Sequence, residues 1–181
     1  MKITRTRLDG VLLVEAPVYG DHRGFFTESY NQKQFIDAGI EMAFVQDNHS
    51  LSAEAGTLRG LHFQHPPKAQ TKLVRVLTGA IYDVVVDLRK ESATYGQWEG
   101  FILSESNKRQ LLVPKGFAHG FCTLVHHTQV FYKVDEYYSS EHDSGILWND
   151  PDLRITWPID RPVLSEKDGQ LPTLSEAQLY F

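Results

Sequence analysis

Two segments place histidines among glycines: Gly56-Thr-Leu-Arg-Gly-Leu-His-Phe-Gln64, which carries His62, and Pro114-Lys-Gly-Phe-Ala-His119. Two lone imidazoles, without a carboxylate or a third nitrogen, make a poor site for zinc, iron or manganese. A neutral imidazole titrates near neutral pH, so its natural task is proton transfer. Tyr132 is a second group fitted to that task. In Val130–Val134, strand alternation puts Val130, Tyr132 and Val134 on one face, with Phe131, Lys133 and Asp135 on the other. A phenol on a mostly apolar face needs either a backbone partner or a role in a site. Lys72 shares its face with Val74 and Val76, so it either faces an enclosed cup or is solvated at a strand end. The single cysteine, Cys122, lies between Phe121 and Thr123; it reads as a buried inert thiol and forms no internal disulfide.

These residues need a scaffold, and the pattern around them is β. Short runs rich in β-branched and aromatic residues recur at Val11–Glu15, Phe25–Tyr30, Phe44–His49, Leu58–Phe63, Lys72–Leu77, Ile81–Leu88, Trp98–Leu103, Gln110–Val113, Gly120–Leu124 and Val130–Val134. Turn signals separate many of them, including Thr78-Gly79, Tyr95-Gly96, Ser106-Asn107 and Pro114-Lys-Gly116. Many short strands at such spacing indicate a sandwich or barrel. One short helix is expected after Asn31, which caps it, with Gln34 at the third helical position and Gly39 ending it. From Ser139 onward, Pro151, Pro158, Pro162 and Pro172 punctuate a tail expected to wrap the barrel as short helices and extended segments.

The 181 residues suit one domain over 1–181, long enough to bury a core without staples. A hydrophobic fraction of 41% and a charged fraction of 23% are ordinary for a globular chain, and 12% aromatics favour β structure. The formal net charge of −5 argues against nucleic acid as a partner. An anionic small molecule needs cations gathered locally against that field. No apolar run approaches a membrane span, and Met1–Arg7 lacks the apolar core of a secretion signal, so a cytoplasmic protein is expected.

The two histidine segments resemble the metal motifs of cupins with ligands removed. The first cupin motif has a glycine, five residues, a histidine, one residue, a second histidine, and an acid four or five residues on. Here Gln64 replaces the second histidine, and the acid position falls on Lys68 or Ala69. Over nearly its whole length the chain resembles the dTDP-4-dehydrorhamnose 3,5-epimerase family. The matching segments include Asp21-His-Arg-Gly-Phe-Phe-Thr-Glu28, Gln46-Asp-Asn-His-Ser50, Gly56–Gln64, Pro114–Phe121, Tyr132-Lys133, Trp148–Pro151, Trp157-Pro158 and Leu164–Asp168. The resemblance implies an all-β, cupin-type jelly-roll barrel with short peripheral helices, a homodimer, no metal and no cofactor. An N-terminal strand over Ile3–Val14 exchanged between subunits is the expected means of pairing. The implied substrate is dTDP-4-dehydro-6-deoxy-glucose, inverted at carbons 3 and 5.

The same resemblance assigns roles. His62 is the base, Asp168 its carboxylate partner, Lys72 the cation facing the oxygen at carbon 4, and Tyr132 the acid on the opposite face. Without the resemblance, Asp168 reads as a surface turn acid. Arg23 and Arg59 are the implied diphosphate contacts; guanidinium forks match phosphate oxygens, and each precedes a glycine. Glu28, Gln46, Asn48, His119 and Lys167 match further ligand-contacting positions, and Tyr138 the ring stacked on thymine. Asp143 stands where the family has a glutamate, and its shorter arm puts a direct ligand contact in question. One conflict remains: simple alternation sets Arg59 and His62 on opposite faces of one strand, which requires a twist or bulge at Gly60.

Overall fold

A computed structural model describes residues 1–181. Along the chain run β1 Lys2–Arg5, β2 Leu12–Glu15, β3 Val18–Asp21, β4 Gly24–Thr27, a short helix α1 Gln32–Asp37, β5 Gln46–Ser52 and β6 Leu58–Gln64. They are followed by β7 Lys72–Thr78, β8 Ala80–Asp87, β9 Trp98–Ser104, β10 Arg109–Val113, β11 Phe117–Thr123, β12 Thr128–Val134 and β13 Asp143–Gly145. A one-turn 3-10 helix spans Asp168–Gln170.

Two antiparallel sheets form the body. One has the order β1-β2-β10-β7-β12-β5 and the other β13-β6-β11-β8-β9. From β5 to β8, successive strands alternate between the sheets, so each crossing carries the chain over the core, as in a jelly roll. Strand alternation then sorts the side chains. Val74, Val76, Ile81, Val85, Leu111, Val113, Phe117, Phe121 and Val130 meet between the sheets. Val84, Val86, Ala118, Leu61 and Phe63 face outward from the five-stranded sheet, where Ile146, Leu153 and Leu179 of the tail cover them. Each such fully buried aliphatic side chain stabilises the wrap by roughly 2 kcal/mol. Helix α1 covers the other sheet, with Phe35 against Val14, Leu73 and Leu112.

All ten expected runs overlap strands, and the capped helix stands where Asn31 placed it: Asn31 Oδ1 accepts from the Gln34 amide at 3.2 Å. β11 starts earlier than its predicted run because it follows directly on Gly116, whose φ of 87° closes the turn. The tail is less helical than expected, with only β13 and the 3-10 turn as regular structure. Ile3–Val14 folds back on its own chain: β1 pairs with β2, and β2 with β10. The segment left apart from both large sheets is the next hairpin, β3–β4.

Candidate active site

The decisive local feature of β6 is an extra residue. His119 pairs with His62 and Phe121 with Arg59, so three steps along β6 match two along β11. This bulge resets the alternation and turns Arg59 and His62 to the same interior, as the face conflict required. Gly60 (φ 134°) makes it possible: a Cβ there would lie 2.5 Å from the Gly120 Cα, so no side chain fits between the two backbones.

Between the sheets opens a cavity of about 460 Å³ lined by Arg59, His62, Lys72, His119, Tyr132, Lys167 and Asp168, among others. A second lobe of about 370 Å³ shares His62, Lys72, Tyr132 and Lys167 and adds Gln46, Asn48, Gln64, Tyr138 and Asp143. Eleven of the thirteen residues singled out from sequence therefore meet around one two-lobed space. Arg23 and Glu28 do not line it. Arg23 sits at the tip of the β3–β4 hairpin, forked onto Asp21 at 2.6 Å, and Glu28 accepts from Asn31 and Gln34 near the start of α1.

Asp168 reaches His62 across the fold. The tail joins the start of β6 when Val163 exchanges hydrogen bonds with Gly56 and Leu58, each 2.9 Å. The following turn, held by the Asp168 amide donating to Ser165 Oγ, brings the carboxylate 2.6 Å from His62 Nε2. The Gly60 amide donates to its other oxygen at 3.3 Å. Burial pushes the Asp168 carboxyl up, but the hydrogen bond and charge of His62 and these amide and hydroxyl partners outweigh it, so its pKa lies below the usual value. An ionised carboxylate only accepts, so Nε2 carries the proton and Nδ1, which makes no bond within the chain, is left as the basic nitrogen.

Tyr132 comes from the facing sheet. Its hydroxyl makes no hydrogen bond within the chain, which leaves it available to a ligand. Burial raises its pKa, with Asp143 adding and Arg59 opposing, so the phenol keeps its proton at neutral pH. Lys72, on the same sheet as Tyr132, stretches across to donate to the His62 carbonyl at 3.3 Å. Burial pushes its pKa down to about 8, against the pull of Asp143 and Asp83. Asp143 is committed within the chain: its Oδ2 accepts from Lys167 at 2.5 Å and from the Tyr138 hydroxyl at 3.2 Å. Cys122, pushed up to about 11 by burial, is no nucleophile.

Sequence reasoning missed Asp83 and Ser165. Asp83 is fully buried and accepts from His119 Nε2 at 2.5 Å, so a second histidine–aspartate pair stands beside His62–Asp168 on adjoining strands. The signal was an acid interrupting the apolar run Ile81-Tyr-Asp-Val-Val-Val86 on its interior face. Ser165 gave no signal; its role depends on the turn that it braces.

The family described as dTDP-4-dehydrorhamnose 3,5-epimerase matches residues 5–176. The chain belongs to this family. It is accordingly an isomerase, an epimerase of dTDP-rhamnose biosynthesis. Among curated relatives, the dTDP-4-dehydrorhamnose 3,5-epimerase of Shigella flexneri is 52% identical over 93% of both chains. The crystal structure of the Bacillus anthracis enzyme, with TDP and pyrophosphate bound, superposes with a TM-score of 0.94 at 64% identity, covering 95% of this chain and 98% of that one. The Legionella pneumophila enzyme, in complex with dTDP-4-keto-L-rhamnose, gives 0.93 at 45% identity, covering 98% and 94%. The cupin-type jelly roll is thus the fold of the chain. No helix is long and apolar enough to cross a membrane.

Proposed function

We propose that the chain, acting as one domain over 1–181 and in the cytoplasm, inverts carbons 3 and 5 of dTDP-4-dehydro-6-deoxy-glucose by enolisation on either side of the carbon-4 ketone. One observation carries this reading: His62 and Tyr132 line one cavity from facing sheets. Inversion needs a base on one face of the sugar and a proton donor on the other, because a single group tends to return the proton where it came from. His62 Nδ1 removes a hydrogen beside the ketone, and Asp168 stabilises the imidazolium that forms. Negative charge develops on the carbon-4 oxygen, where the Lys72 ammonium meets it. The Tyr132 phenol then delivers a proton to the opposite face. No metal is assigned to any step, and Gln64 supplies no ligand in the place where metal-binding cupins use histidine.

The nucleotide end spans both lobes, with the base in the second and the diphosphate reaching the first. Tyr138 offers its ring to thymine, Gln46 and Asn48 line the same wall, and Arg59 with Lys167 and His119 meets the diphosphate. Arg59, Lys72 and Lys167 answer the objection raised by the net charge of −5, since these cations are concentrated at the cavity. Asp143 acts by holding Lys167 and Tyr138.

Arg23 and Glu28 enter through a second copy of the chain. The β3–β4 hairpin exposes Val18, Tyr19, Phe25 and Phe26 at 44–65%. A two-stranded ribbon is marginal by itself, so those side chains belong against another surface. In a homodimer the hairpin covers the partner and delivers Arg23 and Glu28 to its cavity. Sedimentation equilibrium should give twice the 20.7 kDa chain mass, and a strictly monomeric active species would end this part of the reading.

The test of the activity is incubation of the dTDP-ketosugar in heavy water with NMR detection. Deuterium should appear at both carbon 3 and carbon 5, with conversion to the rhamno configuration. Exchange at one carbon alone would reduce the assignment to a mono-epimerase.

The pH profile tests Lys72 separately. Its folded pKa is depressed, so the ammonium is present below about 8 and lost above it. kcat/KM, which reports the free enzyme, should therefore fall tenfold per unit above about 8. Lys72→Arg should move that limb beyond roughly pH 10, since guanidinium stays charged there. A flat profile from neutral pH to about 10 would remove Lys72 from the charge-stabilising role.

A further inference from the structure

Gln64 lines the second lobe two residues beyond His62, yet it has little left to offer a ligand. It is 4% exposed, and its amide is occupied by the chain. Nε2 donates to the Lys68 carbonyl at 2.6 Å and to the Tyr137 carbonyl at 3.2 Å. Oε1 accepts from the Ser139 amide at 2.8 Å. Both donor hydrogens and one acceptor position are used. Residues 137–139 belong to no strand or helix, so the backbone has no ladder to hold it. Side chains hold most of its groups instead: Tyr137 O and Ser139 N by Gln64, and Tyr138 N by Gln46 Oε1 at 3.2 Å, with one backbone bond, from the His142 amide to Ser139 O at 3.1 Å. The Tyr138 ring at the centre of this segment is exposed at 58%, and its hydroxyl is tied to Asp143.

We propose that Gln64 is a positioning residue for nucleotide recognition: its amide fixes the backbone on both sides of Tyr138 and so holds the ring ready for a planar base. The inference rests on the reading of Tyr138 as the platform for thymine. It gives a physical reason for glutamine at this position. An imidazole has two ring nitrogens, one donating and one accepting when neutral, and cannot bond two carbonyls and an amide at once. A platform fixed before binding spares the ligand the cost of ordering it, which shows in affinity. The chemical step takes place around His62 and Tyr132 and feels little of it.

The test measures dTDP binding by calorimetry, and KM and kcat for the ketosugar, for Gln64→Met in the wild-type and Tyr138→Ala backgrounds. In the wild-type background, Kd for dTDP and KM should each rise about tenfold, the size expected for losing one well-fixed recognition contact, with kcat changed less than about threefold. In the Tyr138→Ala background the effect should shrink to about twofold or less, because the platform is already gone. Equal losses in both backgrounds, or a fall in kcat at unchanged Kd, would overturn the proposal. If Gln64→Met does not fold, Gln64→His, with one donor and one acceptor, carries the same comparison with about a threefold effect expected. Failure of the wild-type protein to bind dTDP would instead defeat the proposed function, so the two failures are distinguishable.

Discussion

Replacing His62 with alanine should lower kcat by roughly 10³-fold or more, at the upper part of the range for losing a general base. Affinity for dTDP should stay within about threefold of wild type, because Tyr138, Gln46, Asn48, Arg59 and Lys167, the groups assigned to the nucleotide, all stay in place. The size follows from the arrangement around the ring. Nδ1 is the one basic nitrogen turned free by the 2.6 Å bond from Nε2 to Asp168, and Tyr132 is a protonated acid rather than a base. The neighbouring imidazole, His119, is tied to Asp83 and does not stand in for it. The fold should survive, since the His62 side chain is one-third exposed and fills no closed core, although buried Asp168 loses its imidazole partner and stability falls accordingly. The decisive measurement is paired: turnover and deuterium exchange for the ketosugar, with calorimetric binding of dTDP. Exchange at wild-type rates in His62→Ala would take the histidine out of the mechanism.

How much of this was legible in the sequence depends on where each residue's partner lies. β7 and β12 could be read because they are short runs rich in β-branched and aromatic residues, and the two-residue period of a strand set Tyr132 on one face with Val130 and Val134. The relation of Arg59 to His62 could be posed but not settled from β6 alone. Its resolution is the extra residue at Gly60, and that exists because Gly120, sixty residues later, presses its backbone against it. Asp168 is the extreme case: 106 residues separate it from His62, and in sequence it is an acid in a turn. Only the family resemblance pointed to it, and the geometry then shows the tail pairing at Val163 that delivers it.

Two misses have different causes. β3, Val18–Asp21, escaped notice because its side chains are all exposed in the chain, so it carries no inward-facing pattern. Gln64 stood out as a lost metal ligand, but its use as a brace was invisible, because two of its three partners are backbone atoms of a loop 73 and 75 residues away. Asp83, by contrast, could have been found. An acid on the interior face of an otherwise apolar strand costs several kcal/mol unless something pairs with it, so its presence alone implies a partner such as His119.

Tyr132→Phe should separate two events that the wild-type enzyme couples. The substitution removes one oxygen that bonds nothing within the chain, so no partner is orphaned and the ring still packs against the core. Proton abstraction by His62 should continue, whereas delivery to the far face loses its donor, and inversion should slow by roughly 10²–10⁴-fold. The imidazolium left on His62 is 32% exposed and trades its hydrogen with solvent through the cavity mouth. In heavy water the variant should therefore place deuterium beside the ketone with the original configuration retained, faster than it forms any inverted product. NMR of the recovered substrate, read at carbons 3 and 5, measures the ratio directly. Inversion at the wild-type rate would show that another group supplies the proton. Loss of exchange in step with loss of inversion would show that Tyr132 assists abstraction, and the division of labour between the two walls of the cavity would have to be abandoned.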